Sequence, residues 1–564
     1  MDVPISTQLR LALAMLGAVA AALGGCKKKS PEGSAGTAAL LDPDGGGEIV
    51  AIAGPDGGAR AGMADPILHA LALITPVMNV PEWPPRNPST ASDERKSALR
   101  LGYLRKGGTV TVKPQLVKKS NCPEGWYELL PPPESPPGTA GGFVCAKDAT
   151  LDPNDKELTK SPHAPNLAGP LPYDYGLNLV DGAPLYRRPP LRRERKQYER
   201  GLAVGRAYRK DDDGAPAPEV ATSHEDGNTA WYLTHKVPSQ ISMDDLKGET
   251  SLIVERMVKG FYLGLDTEVH AFAGSFWRTT RGMFVAKEHV LVHDPKVEFE
   301  GVWLDAAGAT GETHHLPLGW ITNPHQWKYT LDDSKMHRHE HVDRFTVVQL
   351  TGKKQVVDDK SYWETAEGWW MRAMDGTVTN PRPPPKNLAS GERWIDVNLG
   401  LESLVAFEGE KPVFATIISS GRHDDDPAKD HHTRSGEFRI REKHIAATMD
   451  NDTATDGPYS IEDVPWIMYF DGSTALHGAF WHSRFGHERS HGCVNMTPHD
   501  AHELFGWVGP KLPDGWHGVR ATDANPGTRV IVHDDGKTAE ESKKDDDAKN
   551  AANSPAPKDD SSRH

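Results

Sequence analysis

A chain of 564 residues exceeds what one hydrophobic core organises, so three or more domains are expected. With 45 prolines, 54 glycines and a hydrophobic share of 37%, it reads as loops and short strands rather than long helices, and a mainly β architecture follows. A formal net charge of −15 excludes a general nucleic-acid binder, which needs a dominant basic face.

Residues 1–26 read as a secretory signal, with Arg10, the apolar run Leu11 to Leu23, and Leu23-Gly24-Gly25-Cys26 at its end. That ending resembles the bacterial lipobox, in which the cysteine is lipidated and becomes the mature N-terminus. The rival reading is a cleaved signal or a single membrane anchor, for which the run is short. Cys26 is therefore the expected lipidation site and membrane contact. Lys27 follows it, which by resemblance to sorting in two-membrane bacteria implies the periplasmic face of the outer membrane. Residues 27–92 turn to Gly, Ala, Ser, Pro and Asp and read as a flexible tether with a reach of about 45 Å for roughly 65 residues. Its one apolar patch, Ile67 to Val80, reads equally as part of the tether or as a short helix docking on the first module.

Residues 93–152 carry three strand-like runs: Gly107 to Val112, Gly125-Trp126-Tyr127-Glu128-Leu129 and Gly141-Gly142-Phe143-Val144-Cys145. They resemble a bacterial SH3-type barrel. An exported location is oxidising, so Cys122 and Cys145 are expected to pair, at about 3 kcal/mol in the chain-entropy model. The rival, a redox or metal pair, lacks a third ligand nearby. Residues 153–249 read as irregular or SH3-like. An echo then links Ser275-Phe276-Trp277-Arg278-Thr279 with Ser361-Tyr362-Trp363-Glu364-Thr365, each followed by glycine and an apolar triplet. It suggests a duplicated strand-turn-strand unit, with one module over 250–310 and a second over 311–390. Exposed Trp and Tyr faces would suit wall glycan or peptide, although packing of barrel cores accounts for any single aromatic.

Two histidine clusters, His337-Arg338-His339-Glu340-His341 and His423-Asp424-Asp425-Asp426 with Asp430-His431-His432, have no recognised ligand spacing, and no metal is expected. The run from Arg187 to Arg200 reads as a solvated basic face with at most weak contact to carboxylates. Residues 536–564 are charged, poor in apolar side chains and expected to be disordered.

Residues 391–535 hold the chemistry. Trp394 to Leu399, Ser403 to Phe407 and Lys411 to Ile418 read as successive short strands. Downstream lie His477-Gly478 and, one loop later, Ser490-His491-Gly492-Cys493-Val494-Asn495. A cysteine with a histidine a loop away is the pairing thiol acyl transfer needs, because imidazole takes the thiol proton and the thiolate attacks a carbonyl. The glycine before Cys493 permits a tight turn in which successive N–H groups converge on one point.

These residues resemble the L,D-transpeptidase catalytic domain of the YkuD type, whose signature is His-Gly followed after a loop by Ser-His-Gly-Cys and then Asn or Arg. Thr433-Arg434-Ser435-Gly436-Glu437-Phe438 stands where that family has Thr-Pro-x-Gly-x-Phe, with Arg434 in place of proline. The resemblance implies a β-rich catalytic domain with short helices, preceded by small SH3-like β-barrel modules. It implies Cys493 as nucleophile, His477 as base oriented by the carbonyl of Gly478, and an oxyanion hole from the amides of His491, Gly492 and Cys493. Ser490 supports the motif, and Asn495 is a candidate substrate contact. The implied reaction joins peptidoglycan stem peptides through a thioester, without metal or organic cofactor. The same nucleophile could instead serve an L,D-carboxypeptidase or amidase, attach an outer-membrane protein to the wall, or be vestigial in a wall-binding lipoprotein.

Overall fold

A computed structural model describes residues 40–41, 48–51, 65–85, 92–131, 141–202, 231–233, 237–238, 241–294, 299–305, 313–427, 429–451 and 458–535. The signal expected over 1–26 with Cys26, most of the expected tether and the tail expected over 536–564 lie outside these residues. The fold is mostly β with a few short helices. Among the described residues no helix is long and apolar enough to cross a membrane.

The patch Ile67 to Val80 is neither tether nor helix. Ile67–Ala70 and Ile74–Met78 are strands. The first pairs with Thr109–Lys119 and Ala149–Thr150, the second with Arg100–Arg105 and Phe143–Cys145. Alternation explains the pairing: Leu68, Ala70 and Val77 point inward onto Leu104, Val112, Leu129 and Val144 and are fully buried or nearly so. The first module therefore begins well before residue 93. A disulfide joins Cys122 and Cys145 beside Trp126, on which Trp83 packs at 4.9 Å.

The next sheet module also crosses its expected boundary. Asp174–Asn178 pairs with Tyr262–Ala271 and Val290–His293, and Ala183–Tyr186 pairs with Ile253–Met257. Residues 174–186 thus belong with 253–293, and together they form the second module. The strand Val302–Trp303, expected in that module, instead extends the sheet of the C-terminal domain through Lys411–Ile417. A further seven-stranded sheet runs from Leu318–Ile321 to Gly376–Val378.

The two echo segments form hairpins of the same register. Phe276 lies opposite Ala286 and Trp277 opposite Val285; Tyr362 lies opposite Arg372 and Trp363 opposite Met371. The first module repeats the pattern with Trp126 opposite Cys145 and Tyr127 opposite Val144. A 3-10 turn follows each, at Ala146–Asp148, Lys287–His289 and Ala373–Asp375. In all three the first aromatic (Trp126, Phe276, Tyr362) is buried and the second (Tyr127, Trp277, Trp363) half-buried. Half of the aromatic pattern is therefore core packing.

The C-terminal domain packs two sheets. One is ordered Val302–Trp303, Lys411–Ile417, Ser403–Glu408, Arg393–Asn398, Arg529–His533, Gly436–Arg439, with Arg393–Asn398 and Arg529–His533 parallel. The other contains Glu442–Asn451, Tyr459–Asp471, Thr474–Gly478 and Val494–Met496. Between them Ile395, Val397, Leu404 and Phe414 meet Met468, Leu476, Val494 and Met496. Helix Pro498–Trp507 closes this core with Ala501, Leu504 and Phe505. Thr497 caps its first turn by accepting from the Asp500 amide, and Pro498 takes the position where no amide is needed.

This domain does not stand alone. Gly518–Arg520 pairs with Glu442–Asn451 on one side and with Arg100–Arg105 of the first module on the other, Gly518 opposite Tyr103 and Val519 opposite Gly102. A Cβ on Gly102 would lie 2.1 Å from the Gly518 oxygen, so glycine is what lets the two backbones meet. A bridge between Tyr262 and Ile461 ties in the second module.

Candidate active site

His477 lies on Thr474–Gly478 and Cys493 immediately precedes Val494–Met496; the strands run parallel with Leu476 opposite Val494, His477 opposite Asn495 and Gly478 opposite Met496. Side chains alternate along both. Leu476, Val494 and Met496 enter the intersheet core, so His477, Asn495 and Cys493 share the opposite face. Strand spacing of about 4.8 Å and a rise of about 3.3 Å per residue put Cys493 diagonally across from His477, with Cα atoms roughly 8 Å apart. Two side chains pointing the same way span such a gap.

His477 is buried. Its Nδ1 lies 3.1 Å from the Gly478 carbonyl oxygen. A carbonyl only accepts, so Nδ1 carries the hydrogen and Nε2 is left with its lone pair. Burial pushes the imidazole down to about 4, which keeps the ring neutral, and the Gly478 carbonyl works weakly the other way. Trp481 stacks on the ring at 5.7 Å. Cys493 is partly exposed, with Sγ 3.7 Å from the Ser473 carbonyl oxygen. Desolvation pushes its thiol up to about 11, against a backbone hydrogen bond from Ala475 that favours the thiolate. At neutral pH the pair is a neutral thiol and a neutral imidazole.

The turn before Cys493 is fastened from both sides. Gly492 has φ +114°, a conformation that favours glycine. Its amide donates to Ser490 Oγ at 3.1 Å, its carbonyl accepts from Thr433 Oγ1 at 2.9 Å, and Ser490 Oγ donates to the Cys493 carbonyl. The Gly492 amide thus already donates to the Ser490 hydroxyl in this conformation. Gly421 donates to Thr433 Oγ1 at 2.8 Å, while Ser419 and Asn495 exchange backbone hydrogen bonds at 2.9 Å. The His491 ring lies between Tyr459 at 4.9 Å and His431 at 4.6 Å.

Asn495 is buried, and its side-chain amide lies 2.8 Å from His482 Nε2. The Arg484 amide donates to His482 Nδ1 at 3.2 Å. Burial holds His482 down at about 3, so the ring is neutral and Nε2 carries its hydrogen. The Asn495 atom facing it is accordingly the carbonyl oxygen. We therefore assign the amide in the reverse of the orientation that would set two donors face to face and leave Oδ1 without a partner among the described residues. The second module reaches this region as well. His293 Nε2 donates to the Phe480 carbonyl at 2.7 Å, and Tyr175 and Tyr262 pack on the Phe480 ring. His482, His293 and Thr433 had no assigned role in the sequence: His482 lies close to the His-Gly motif, Thr433 opens the Thr433–Phe438 segment, and His293, far from both motifs in sequence, carried no signal.

Among the described residues, metal-ligating atoms gather only at Cys122, Glu124 and Cys145, where the disulfide occupies both sulfurs. His337, His339 and His341 lie along an exposed strand, where Trp327 packs on His341 at 3.7 Å.

The family model of the L,D-transpeptidase catalytic domain, YkuD, matches residues 392–532. These residues form a YkuD-type L,D-transpeptidase catalytic domain. Solved structures to which the chain is similar include the NMR structure of the catalytic domain of an E. faecium L,D-transpeptidase, at 27% identity, covering 25% of this chain and 98% of that one with a TM-score of 0.20. A crystal structure of a mutant Enterococcus faecium L,D-transpeptidase is 19% identical over 38% of this chain and 75% of that one, with a TM-score of 0.19. For L,D-transpeptidase 3 from Mycobacterium tuberculosis the values are 15%, 33%, 79% and 0.18. No curated protein matches the chain. The transpeptidase domain contains both His477 and Cys493, whereas the modules before it lie outside the matched residues.

Proposed function

We propose that the chain is a peptidoglycan L,D-transpeptidase in which Cys493 is the nucleophile and His477 the base. The observation that carries this reading is the parallel pairing that sets both side chains on one face, with the imidazole oriented so that its bare Nε2 can receive a proton. The thiol gives its proton to Nε2 as sulfur attacks the carbonyl at the L-centre of a stem-peptide diamino acid. The resulting oxyanion is met by the amides of Cys493 and His491, since that of Gly492 already donates to Ser490. Collapse breaks the bond to terminal D-alanine, whose amine takes the proton back from His477, and a thioester remains. A side-chain amine of a neighbouring stem then attacks, gives its excess proton to His477 and expels the thiolate as the new amide forms, and the thiolate takes that proton from His477 to restore the neutral pair. Starting from neutral partners, proton transfer must accompany attack, which makes the placement of Nε2 decisive.

Cys26 is the proposed lipid anchor at the periplasmic face of the outer membrane, and the preceding modules are proposed to hold the domain at the wall. The test incubates tetrapeptide-containing wall fragments with the protein and with Cys493→Ala, read by mass spectrometry. Cross-linked dimers that require Cys493 are expected. Tripeptides alone would move the reading to a carboxypeptidase, and products unaffected by Cys493→Ala would overturn it.

A further inference from the structure

Although the chain is acidic overall, one face of the second module is not. Between Arg187 and Arg200 the sequence places seven Lys and Arg against two Glu. The short helix Arg192–Tyr198 lies along the tip of the hairpin formed by Tyr262–Ala271 and Gly274–Thr279. Arg192 Nε donates to the Phe272 carbonyl at 2.7 Å and Arg195 Nη1 to the Ala273 carbonyl at 2.5 Å. Gly274 leaves room for this, because a Cβ there would lie 2.4 Å from Arg195 Nη1. The tip is thus clamped, and what it presents is unusual for a turn in water, where Asn, Asp and Gly are the ordinary choice. Phe272 is 91% exposed, and Leu191, at the start of the helix, 49%. Beside them Arg193, Lys196 and Arg200 face solvent, the last two at an open depression of about 420 Å³ that Arg192, Arg195, Glu199 and Ala273 also line.

We propose that this face docks the second module on an anionic phospholipid surface, with Phe272 and Leu191 entering the acyl boundary and Arg193, Lys196 and Arg200 holding lipid phosphates. A soluble polyanion would use the cations and leave Phe272 and Leu191 in water. A bilayer interface rewards both at once, as apolar side chains rimmed by Lys and Arg do on interfacial helices. The remaining charge of the chain is repelled by the same surface, so docking through this face also orients the molecule. The proposal does not depend on the transpeptidase reading.

The full chain carrying Cys26→Ser, which cannot be lipidated, is sedimented with vesicles of phosphatidylcholine alone or with phosphatidylglycerol added. It is compared with the same chain bearing Arg193→Glu, Lys196→Glu and Arg200→Glu together, or Phe272→Ser alone; the N-terminal apolar run is common to all three. Partitioning that depends on phosphatidylglycerol is expected to fall about tenfold with Phe272→Ser and about a hundredfold with the triple reversal. Variants that partition like the parent would overturn the proposal. So would loss in the triple reversal with Phe272→Ser unchanged, which would assign the face to a soluble polyanion. Phe272 is solvent-exposed, so its substitution gives a reading even if the triple variant fails to fold.

Discussion

Arg105 of the first module and Asp463 of the transpeptidase domain form a buried, two-pronged ion pair, with Nη1 to Oδ1 at 2.6 Å and Nη2 to Oδ2 at 2.9 Å. The Thr280 hydroxyl of the second module donates to the same carboxylate, and Tyr175 Oη donates to the Asp463 carbonyl at 2.6 Å. Three distant stretches of chain thus converge on one residue, which sits at φ +53° on the strand Tyr459–Asp471, neighbour to the strand that carries His477. Breaking such a pair leaves an uncompensated buried charge, at about 3–5 kcal/mol. Arg105→Ala is therefore expected to lower the stability measured by urea unfolding by that much. Adding Asp463→Asn should recover part of the loss, because the carboxylate charge then disappears too. Independent, additive losses in the two single variants would show that the residues do not act as a pair.

The neutral state of the proposed catalytic pair predicts an unusual pH profile. In the proposed roles, activity needs His477 unprotonated, with its imidazole held down at about 4, and a cysteine whose thiol is pushed up to about 11. The profile of kcat/KM for thioester formation should therefore run as a broad plateau across neutral pH, falling on the acid side near 4 and changing on the alkaline side only near 11. Alkylation of Cys493 by iodoacetamide should be slow at pH 7 and accelerate towards 11. A limb near pH 7 in either measurement would mean an imidazolium–thiolate pair in the free enzyme and would sink this account.

His482 is expected to act by positioning Asn495. His482→Phe removes the ring hydrogen that holds the Asn495 carbonyl and leaves that amide free to turn. A buried hydrogen bond is worth about 1–3 kcal/mol, so kcat/KM should fall roughly ten- to a hundredfold. His482→Gln keeps a donor of similar reach and should restore most of the rate. Asn495→Asp keeps the acceptor but lacks the NH2 group, and should fold while losing rate. Equal losses in His482→Phe and His482→Gln would show that the imidazole serves packing alone.

Much of the transpeptidase domain was legible because its signals are local. Trp394 to Leu399 and Ser403 to Phe407 are runs of β-branched and aromatic residues, and both are strands. His477 and Cys493 stand in short motifs whose order identifies them. The shared face, however, comes from a parallel pairing that no local pattern encodes. What escaped was non-local in the same way. Ile67 to Val80 lies in a Gly- and Pro-rich neighbourhood, and its partners begin some twenty to eighty residues further on, at Arg100 and Ala149. Residues 174–186 pair with strands from Ile253 onwards, so the module boundary fell in the wrong place. Arg105 and Asp463 are 358 positions apart.

Glu462, next to that junction, should set how stability responds to pH. It is buried, and its carboxyl is pushed up to about 8, first by desolvation and then by Asp463 and Glu255, against the pull of Arg281 at 3.4 Å. Unfolded, a glutamate titrates at about 4.3. Between those values the folded chain keeps a proton that the unfolded chain has released, so stability contributed by this group is full below about 4.3, is lost as pH rises towards 8, and changes no further above it. Glu462→Gln holds the same shape without ionising. Relative to the parent it should gain a few kcal/mol on going from pH 4.5 to pH 8, since each tenfold difference in proton affinity between the folded and unfolded chain corresponds to about 1.4 kcal/mol. Urea midpoints of parent and variant at the two pH values measure the difference. If the gap between them is the same at both, Glu462 is already ionised in the folded protein and Arg281 outweighs its burial.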